Sequence, residues 1–368
     1  MSSHERWLDG AEPIRAGEEV DLEPLAQYLR ANIPEIAERA ELSIQQFPSG
    51  HSNLTYLVRA GAREYVLRRP PYGSRVKTAH DMGREYRVLS KLHVAYPLAP
   101  EPLIHCDDES VLGAPFYVMR RVHGLILRKD LPHGLELDAL QVSALHRELV
   151  DRLVELHAID FSAIGLGDLG KPEGYVERQI RGWTERYAGS RTDEIAAVDQ
   201  LGRWLAERIP ADGAPSLIHN DFKLDNLVLD RDDPTRIIGV LDWEMCTVGD
   251  PLMDLGTTLS YWIEAADAEP FQAVRWGPTT IPGSATRREI ADRYAAKSGR
   301  DVANILYYYC FGLFKTAVVL QQIYYRYKSG LTQDERFAML IHMEQACVRQ
   351  LGERRCLGAR PRLARLEG

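Results

Sequence analysis

The 368-residue sequence contains no uninterrupted apolar run of about eighteen residues, the minimum length that a membrane-spanning helix needs. The longest candidate, residues 307–320, includes Lys315 and is predicted to be a buried helix. An apolar signal-peptide core is also missing from residues 1–10. These absences predict a protein without a membrane partner, and a cytoplasmic location is the default expectation.

Cysteine is scarce, and positive charge is outnumbered. The five cysteines are scattered and form no C-x-x-C pair, which favours reduced thiols over a disulfide framework or a zinc site. The formal net charge of −8 leaves no excess of basic residues to neutralise phosphates, so a nucleic-acid partner is not expected. The hydrophobic content of 45% is that of an ordinary globular protein, and the length allows two lobes.

Glycine is scarce at the place where a nucleotide-binding loop would use it. The segment 47–55 lies between two predicted strands and contains a single glycine, Gly50, so it is not a G-x-G-x-x-G motif. Small side chains still allow backbone N–H groups to approach phosphates closely. The segment is therefore a candidate phosphate-covering hairpin, with Ser52 and Asn53 as cofactor-binding residues. An ordinary polar hairpin turn is the alternative.

The sequence does contain a polar loop whose spacing matches that of a kinase catalytic loop. Asp221 is followed five positions later by Asn226, and His219 precedes it. Short apolar runs surround this loop and are predicted to be strands: residues 216–218, 227–229 and 236–241. The last of them delivers Asp242 at its end. This order of strand, loop, strand, turn, strand and acid is that of a kinase C-lobe.

These residue types suit phosphoryl transfer, which needs few covalent participants. A carboxylate must orient a hydroxyl group and accept its proton, and Asp221 is the candidate base. Oxygen ligands must hold Mg²⁺ against phosphates, and Asn226 and Asp242 are the candidate metal ligands. Lys223 is a candidate catalytic cation that neutralises charge on the transferred group, with a surface lysine as the alternative. His219 is expected to brace the loop and not to act as a base.

A second set of candidates lies upstream, in the predicted nucleotide-binding lobe. Arg68 continues the predicted strand 64–67 and stands where a protein kinase has its lysine. Glu85 on the following helix is its expected partner. Each charge alone is more typical of a solvated face, but their order favours the pair. Met119 and Arg120 end the last strand of this lobe, where a strand can contact adenine. Position alone separates that interpretation from a plain core strand.

Residues 249–256 predict the start of a helix. Asp250 has the residue type of an N-cap, and Pro251 occupies the first helical position, where its missing N–H costs nothing. Asp254, one turn further on, is placed to accept hydrogen bonds from the backbone of the catalytic loop. These two aspartates therefore have structural explanations.

The predicted fold is α+β and has two lobes. Residues 1–122 form a small, β-rich, nucleotide-binding lobe with an N-terminal helix, residues 123–351 a larger, mostly helical, catalytic and acceptor-binding lobe, and residues 352–368 a basic tail. The predicted strands of the first lobe are residues 42–47, 54–58, 64–67, 111–112 and 115–122. The predicted helices are residues 21–40, 81–92, 139–158, 175–187, 192–208, 250–264, 286–297, 302–327 and 332–350.

Taken together, the motifs resemble those of the aminoglycoside phosphotransferase family. They are H-N-D-x-K-x-D-N, L-D-W-E and G-D-P-x-x-D-L-G, with S-N-x-T-Y-x-V and Y-V-L-R-R-P-P upstream. The resemblance covers roughly residues 40–350 and is strongest to the kinase-like half that precedes some acyl-CoA dehydrogenases and to its free-standing bacterial relatives. It implies a bilobal protein-kinase-like fold, ATP and Mg²⁺ as cofactors, and transfer of the γ-phosphoryl group to a substrate hydroxyl. Arg68 in place of lysine and the glycine-poor loop depart from the usual kinase pattern, but neither removes a catalytic residue.

The sequence leaves the acceptor open. Residues 171–190 mix basic and acidic side chains, so they do not decide the charge of the acceptor. The resemblance favours a hydroxyacyl-CoA or a related metabolite, with a possible functional link to an acyl-CoA dehydrogenase. The alternatives are an aminoglycoside-type antibiotic phosphotransferase and a non-catalytic kinase-like module that binds nucleotide or acyl-CoA. A metal hydrolase built on His219 and Asp221 is disfavoured, because no second histidine lies nearby at ligand spacing.

Overall fold

The structure is a computed structural model that describes residues 10–48, 53–71, 81–193, 195–332, 337 and 340–342. The chain divides into two compact units. The first comprises Met1–Ile126, Ser162–Leu166 and Asn226–Cys246, and the second comprises Leu127–Phe161, Gly167–Asp225 and Thr247–Gly368. Each predicted lobe is one continuous stretch of sequence, whereas each of these units combines three stretches. The predicted lobe limits stay a prediction. Ser52, most of the predicted helix 332–350 and the basic tail 352–368 lie outside the described residues.

The first unit contains an antiparallel sheet. Its strands are β1 (Leu42–Gln46), β2 (Leu54–Ala60), β3 (Arg63–Arg69), β4 (Pro102–Cys106) and β5 (Phe116–Arg120), in the spatial order β1-β2-β3-β5-β4. A short turn joins β2 to β3 because Gly61 adopts a φ of +61° there. β3 is the central strand, and its register with β5 places Arg68 opposite Tyr117. Arg68 therefore starts from the most enclosed strand of the sheet.

In the described part of the first unit, three α-helices accompany the sheet. They are α1 (Leu22–Asn32), α2 (Met82–Ala95) and α3 (Glu109–Leu112). An aspartate caps each N-terminus by accepting a backbone N–H, which satisfies one of the unpaired donors of the first turn: Asp21, Asp81 and Asp108. α1 contributes Leu25 and Leu29 to a core that also contains Tyr56 and Tyr65 of the sheet. The sheet face towards α1 is therefore buried in an apolar core.

Two predictions for the first unit were wrong in detail. The helix predicted over 21–40 ends at Asn32, two residues before Pro34, which cannot continue the helical hydrogen bonding. Residues 111–112, predicted as a strand, belong to α3, which ends where Gly113 adopts a φ of +72°. β4 was not predicted. It is an edge strand that begins with proline, and its half-buried residues give little alternation.

A hairpin of β7 (Leu227–Leu229) and β8 (Ile237–Val240) also belongs to the first unit. The segment after β5 approaches this hairpin through a bridge between Leu125 and Leu229. A Cβ atom on Gly124 would lie 2.3 Å from the carbonyl oxygen of Leu229. Glycine is therefore required at position 124 for the chain to pass this close to β7.

The second unit is mostly helical. Its helices are α4 (Ala139–His157), α5 (Tyr175–Ser190), α6 (Ala196–Ala206), α7 (Pro251–Tyr261), α8 (Glu269–Gln272), α9 (Arg287–Ser298) and α10 (Ile305–Lys328), and a short sheet pairs β6 (Ser216–Ile218) with β9 (Thr247–Gly249). The helices predicted between residues 139 and 327 are confirmed to within a few residues, whereas α8 and β9 were too short to predict. Among the described residues, no helix is long and apolar enough to cross a bilayer.

α7 and α10 cross in close contact within the second unit. A Cβ atom on Gly256 of α7 would lie 2.3 Å from the carbonyl oxygen of Tyr308, and one on Gly312 of α10 would lie 2.4 Å from that of Gly256. Backbone therefore packs directly on backbone at this crossing. Helix α7 begins just after Asp250, and its first turn contains Asp254, the residue predicted to bind the catalytic-loop backbone. The crossing therefore also fixes the position of this helix.

We expect Gly312→Ala to lower the free energy of unfolding by roughly 1–3 kcal/mol or more, because the added methyl group must push the two helices apart. The control is Gly189→Ala in α5, where a Cβ atom would meet nothing within 4 Å. Alanine there should leave the stability unchanged or raise it slightly. Urea denaturation measures both changes, and equal effects of the two substitutions would contradict the close crossing.

Candidate active site

Arg68 lies at the centre of a carboxylate cluster in the first unit. Its Nη1 donates to Oε1 of Glu85 on α2 at 2.6 Å. Nη1 and Nη2 both donate to Oδ1 of Asp242, at 3.2 and 3.1 Å. Nη2 also lies 3.6 Å from Oε2 of Glu244. The structure thus brings Arg68 and Glu85 into contact, as the order of strand cation and helix acid predicted, and adds Asp242 to the pair.

Among the described residues, the carboxylates of Glu85, Asp242 and Glu244 lie around the guanidinium of Arg68. Burial raises the pKa of Glu85, and Arg68 opposes that rise. Burial alone would lower the pKa of Arg68, but the surrounding carboxylates outweigh it and raise it, so Arg68 stays charged. The side chain of Asp242 is 34% exposed while that of Glu85 is 2% exposed, so Asp242 is the more accessible of these two carboxylates.

The backbone at Asp242 is held in an uncommon conformation. Its φ is +69°, in the left-handed region, which aspartate tolerates better than most residues. The residue directly precedes a 3₁₀ turn, Trp243–Met245. Trp243 anchors that turn: its ring is 1% exposed, packs edge-on against Tyr96 and donates from Nε1 to the carbonyl oxygen of Val240 at 2.8 Å. The buried indole therefore fixes the residue that carries the exposed carboxylate.

Asn226 lies at the same end of the β7–β8 hairpin as Asp242. Its carbonyl oxygen accepts the N–H of Leu241 at 2.8 Å, next to the pairing of Leu227 with Val240. Carboxylate and amide oxygens are the donors that Mg²⁺ prefers. Among the described residues there is no group of three or more His, Cys, Asp or Glu that could hold a metal by itself. Since Mg²⁺ is commonly bound by one or two protein ligands together with phosphates, this donor set fits a phosphate-associated Mg²⁺.

Asn53 and Glu244 form a contact that sequence reasoning missed. Nδ2 of Asn53, a predicted cofactor-binding residue, donates to Oε2 of Glu244 at 2.8 Å, and Asn53 is 2% exposed. Arg84 donates to the backbone carbonyl oxygens of Glu244 and Cys246. Both side chains therefore position the segment after Asp242. The available signal was the acid two residues after Asp242.

Met119 and Arg120 lie at the end of β5, as predicted, but in different surroundings. Met119 is buried and pairs with Val66 of β3, so it contributes apolar surface. The guanidinium of Arg120 binds the carboxylates of Glu101 and Glu35, and its backbone N–H donates to the carbonyl oxygen of Glu101. The adenine contact predicted for Met119 and Arg120 stays a prediction.

In the second unit, Asp254 holds the backbone of the catalytic loop. Its Oδ2 accepts the N–H of His219 at 2.6 Å, and its Oδ1 accepts the N–H of Asn220 at 2.7 Å. His157 lies 3.1 Å from Oδ2 through its Nε2. Burial alone would raise the pKa of Asp254, but His157 and the loop N–H groups outweigh it and lower the pKa. The predicted contact between Asp254 and the loop backbone is thus confirmed, as is the capping of α7 by Asp250.

Asp221 follows in this braced loop. Its N–H donates to Nδ1 of His219 at 3.2 Å, so that histidine does brace the loop. Nζ of Lys223 lies 3.3 Å from Oδ2 of Asp221 and 3.6 Å from Oδ1 of Asp225. Burial alone would raise the pKa of Asp221. Lys223, the more distant Lys315 and a hydrogen bond from Tyr261 outweigh burial and lower that pKa. Asp221 is therefore an ionised carboxylate between cations.

Lys315 of α10 is a loop-binding residue that sequence reasoning missed. It is 3% exposed, and its Nζ donates to the carbonyl oxygen of Asn220 at 2.5 Å. The ammonium group also lies 5.8 Å from the ring centroid of Trp183. Burial lowers the pKa of Lys315 to about 8, although Asp221 and Asp254 oppose this fall. A lone lysine in the apolar run 307–320 was the available signal.

The depressed pKa of Lys315 predicts a pH-dependent stability. Between about pH 8 and the ordinary value of 10.5, the unfolded chain binds a proton that the folded chain does not. The contribution of Lys315 to the free energy of unfolding therefore rises with pH over this window and is lost as the pH falls through about 8. We expect the free energy of unfolding of the wild type, minus that of Lys315→Met, to increase by up to about 3 kcal/mol between pH 8 and 10.5. Urea denaturation at several pH values measures this, and a flat difference would contradict it.

Comparison with known proteins places these arrangements in a family. The sequence model of the phosphotransferase enzyme family (APH) matches residues 43–289. Acyl-CoA dehydrogenase family member 11 of Rattus norvegicus is 34% identical over 333 residues, which are 86% of this chain and 41% of that protein. The chain thus spans about two fifths of the length of that relative.

Solved structures show the same fold. The structure of a Ralstonia eutropha protein, provisionally assigned as an aminoglycoside phosphotransferase, is 31% identical with a TM-score of 0.74, covering 91% of this chain and 99% of that one. Choline kinase from Cryptosporidium parvum is 14% identical with a TM-score of 0.62, covering 90% of this chain and 96% of that one, a likeness of fold alone. The predicted α+β, protein-kinase-like fold is confirmed, and the chain belongs to the APH phosphotransferase family.

Proposed function

We propose that the chain is an ATP- and Mg²⁺-dependent small-molecule kinase that transfers the γ-phosphoryl group to a substrate hydroxyl. The observation that carries this proposal is the buried Arg68, which binds Glu85 and the exposed carboxylate of Asp242 together. A fixed cation beside a metal-binding carboxylate is the arrangement that nucleotide phosphates need. Membership of a phosphotransferase family supports the same chemistry.

The residues of the first unit would hold the nucleotide phosphates. Bound Mg²⁺ supplies neutralisation of the phosphate charge. Asp242 would hold the ion through a carboxylate oxygen, and Asn226 through its amide oxygen. Arg68 is bound by Glu85 and keeps the side chain of Asp242 in one orientation, which removes part of the ordering cost of binding. Ser52 and Asn53 remain proposed residues of the phosphate-covering loop.

The residues of the second unit would orient the acceptor and take its proton. Asp221 would orient the acceptor hydroxyl and take its proton. The lowered pKa of Asp221 makes it a weak base, so orientation is its larger contribution and the proton is transferred late. Lys223, beside Asp221, would neutralise charge on the transferred group.

For the acceptor we propose a hydroxyacyl-CoA or a related hydroxylated metabolite, and a functional link to an acyl-CoA dehydrogenase. The support is the identity of 34% to a protein of that name, of which the matched part is less than half. Cys106, Cys246 and Cys310 are buried. A cytoplasmic location stays part of the proposal.

Asp221→Asn should lower the rate of phosphoryl transfer by about 10²–10⁴-fold, because the amide cannot accept the hydroxyl proton. The measurement is transfer from γ-labelled ATP to a panel of hydroxyacyl-CoAs, hydroxy acids, amino alcohols and aminoglycosides. Thermal stabilisation by Mg·ATP should stay close to that of the wild type. A variant that turns over normally would refute the assignment of the base.

Asp242→Asn should abolish most of the thermal stabilisation by Mg·ATP. A ligand that binds the native state at about 100 times its Kd stabilises by roughly 2.7 kcal/mol, and this should disappear with the metal ligand. The control is Asp232→Asn in the turn between β7 and β8, where the side chain is 76% exposed. It should retain the full stabilisation. If both variants retain it, Asp242 is not a metal ligand.

A further inference from the structure

Lys315 is a buried cation of the second unit that binds a backbone carbonyl group. It is 3% exposed, and among the described residues it forms no ion pair; its Nζ donates to the carbonyl oxygen of Asn220 at 2.5 Å. Arg287, another buried cation of this unit, has the usual arrangement, because both of its Nη atoms donate to the carboxylate of Asp267 at 2.7 Å. A buried charge costs free energy unless it is paired. The position of Lys315 is therefore better explained by the carbonyl group that it binds than by the stability of the fold.

The peptide between Asn220 and Asp221 is held on both of its sides. Its carbonyl oxygen accepts from Lys315, and its N–H, that of Asp221, donates to Nδ1 of His219 at 3.2 Å. A peptide unit is planar, so two fixed sides fix the whole plane and the direction in which the chain enters Asp221. The φ of Asn220 is +67°, which a residue with a side chain keeps only where its surroundings hold it. Lys315 thus acts on the backbone of the proposed base.

The crossing of α7 and α10 brings this contact about. Lys315 lies three residues after Gly312 on α10, and Asp254 lies two residues before Gly256 on α7. These glycines are the places where the backbones of the two helices meet. Residues three apart are neighbours on a helix surface, so the lysine leaves α10 beside the crossing. The close crossing therefore sets how far the ammonium group reaches towards the loop.

The charge of Lys315 also acts on the carboxylate of Asp221. Burial alone would raise the pKa of Asp221, and Lys223 and Lys315 are among the groups that lower it. Lys223 does so as a direct neighbour, at 3.3 Å. Lys315 combines two effects on one residue, since it binds the peptide of Asp221 and favours the ionised form of its side chain.

We propose that Lys315 is a positioning residue for phosphoryl transfer, which orients Asp221 by holding the peptide that leads into it. Lys315 contacts no reacting atom in this proposal and acts through Asn220 and Asp221 alone. The inference rests on the proposed role of Asp221 as the base, but the contact with the peptide can be tested without turnover.

The first test is kinetic and uses Lys315→Met, which has a similar length but no charge and no N–H donor. It should lower kcat at pH 7 by about 10–100-fold, because a small displacement of a catalytic group is costly. Thermal stabilisation by Mg·ATP should stay at the wild-type level. The matched control is Lys328→Met on the same helix, where the side chain is 45% exposed and paired with Asp193. The control should keep the wild-type kcat, and equal kcat values of the two variants would overturn the positioning role.

The second test is the pH profile of kcat/KM, whose acid limb reports the ionisation of the base. Because the charge of Lys315 lowers the pKa of Asp221, the acid limb of Lys315→Met should lie at higher pH than that of wild type. A purely structural lysine would change stability and leave the limb in place, so an unmoved limb would overturn the effect on the base. The other ionisable groups that act on Asp221 or on Lys315 are present in both enzymes: Lys223, His219, Tyr261, Asp225, Asp254 and Arg186.

The third test observes the peptide itself. The dipeptide Asn-Asp occurs once in the sequence, at 220–221. Labelling asparagine with ¹³C at the carbonyl and aspartate with ¹⁵N therefore gives a single two-bond-filtered NMR signal, that of this peptide. In wild type the carbonyl shift should titrate with a midpoint near pH 8, where Lys315 loses its charge. The titration should be absent from Lys315→Met and retained in Lys328→Met.

The NMR outcome separates this inference from the kinase function. A wild-type carbonyl shift that does not titrate near pH 8, or a titration that persists in Lys315→Met, would overturn the contact. A titrating carbonyl in a wild type that transfers phosphate to no acceptor would instead refute the kinase function and leave the contact standing.

Discussion

One buried carboxylate determines the shape of the catalytic loop. Asp254 accepts the N–H groups of two successive residues, which keeps His219 and Asn220 in fixed positions. Asn220 has a φ of +67°, a conformation that most side chains avoid. Lys315 holds the carbonyl oxygen of the same residue from α10. Asn220 is thus held at both its N–H and its C=O, directly before the residue that would act as base.

The backbone at Asp242 is held in the same way, but by other groups. Asp242 and Asn220 are the two non-glycine residues with positive φ in the part of the chain that the structure describes. Strained backbone of this kind persists where the surroundings over-determine it, and it is frequent at functional sites. At Asp242 the surroundings are the buried indole of Trp243 and the guanidinium of Arg68. At Asn220 they are a carboxylate and an ammonium group.

Local chemistry decided which features the sequence could predict. The N-cap Asp250, the contact of Asp254 with the loop and the pairing of Arg68 with Glu85 depend on residue types at short or ordered spacings, and all three were predicted. The features that were missed depend on contacts between distant segments. Glu244 meets Asn53 across 191 positions, and Lys315 meets Asn220 across 95. No local pattern encodes such contacts. The edge strand β4 was missed for a different reason, since weak alternation and a proline hide a strand.

Arginine at position 68 differs from Lys315 in how its charge responds to pH. A guanidinium does not lose its proton in proteins, and its planar fork can serve Glu85 and Asp242 at once. An ammonium group in the same position would be a compact point charge without this planar fork. Arg68 is therefore a permanent charge, whereas Lys315, whose pKa burial lowers to about 8, loses its charge in alkali. In alkali the Arg68 cluster therefore keeps its charge, while the hydrogen bond from Lys315 to the carbonyl oxygen of Asn220 becomes one between neutral groups.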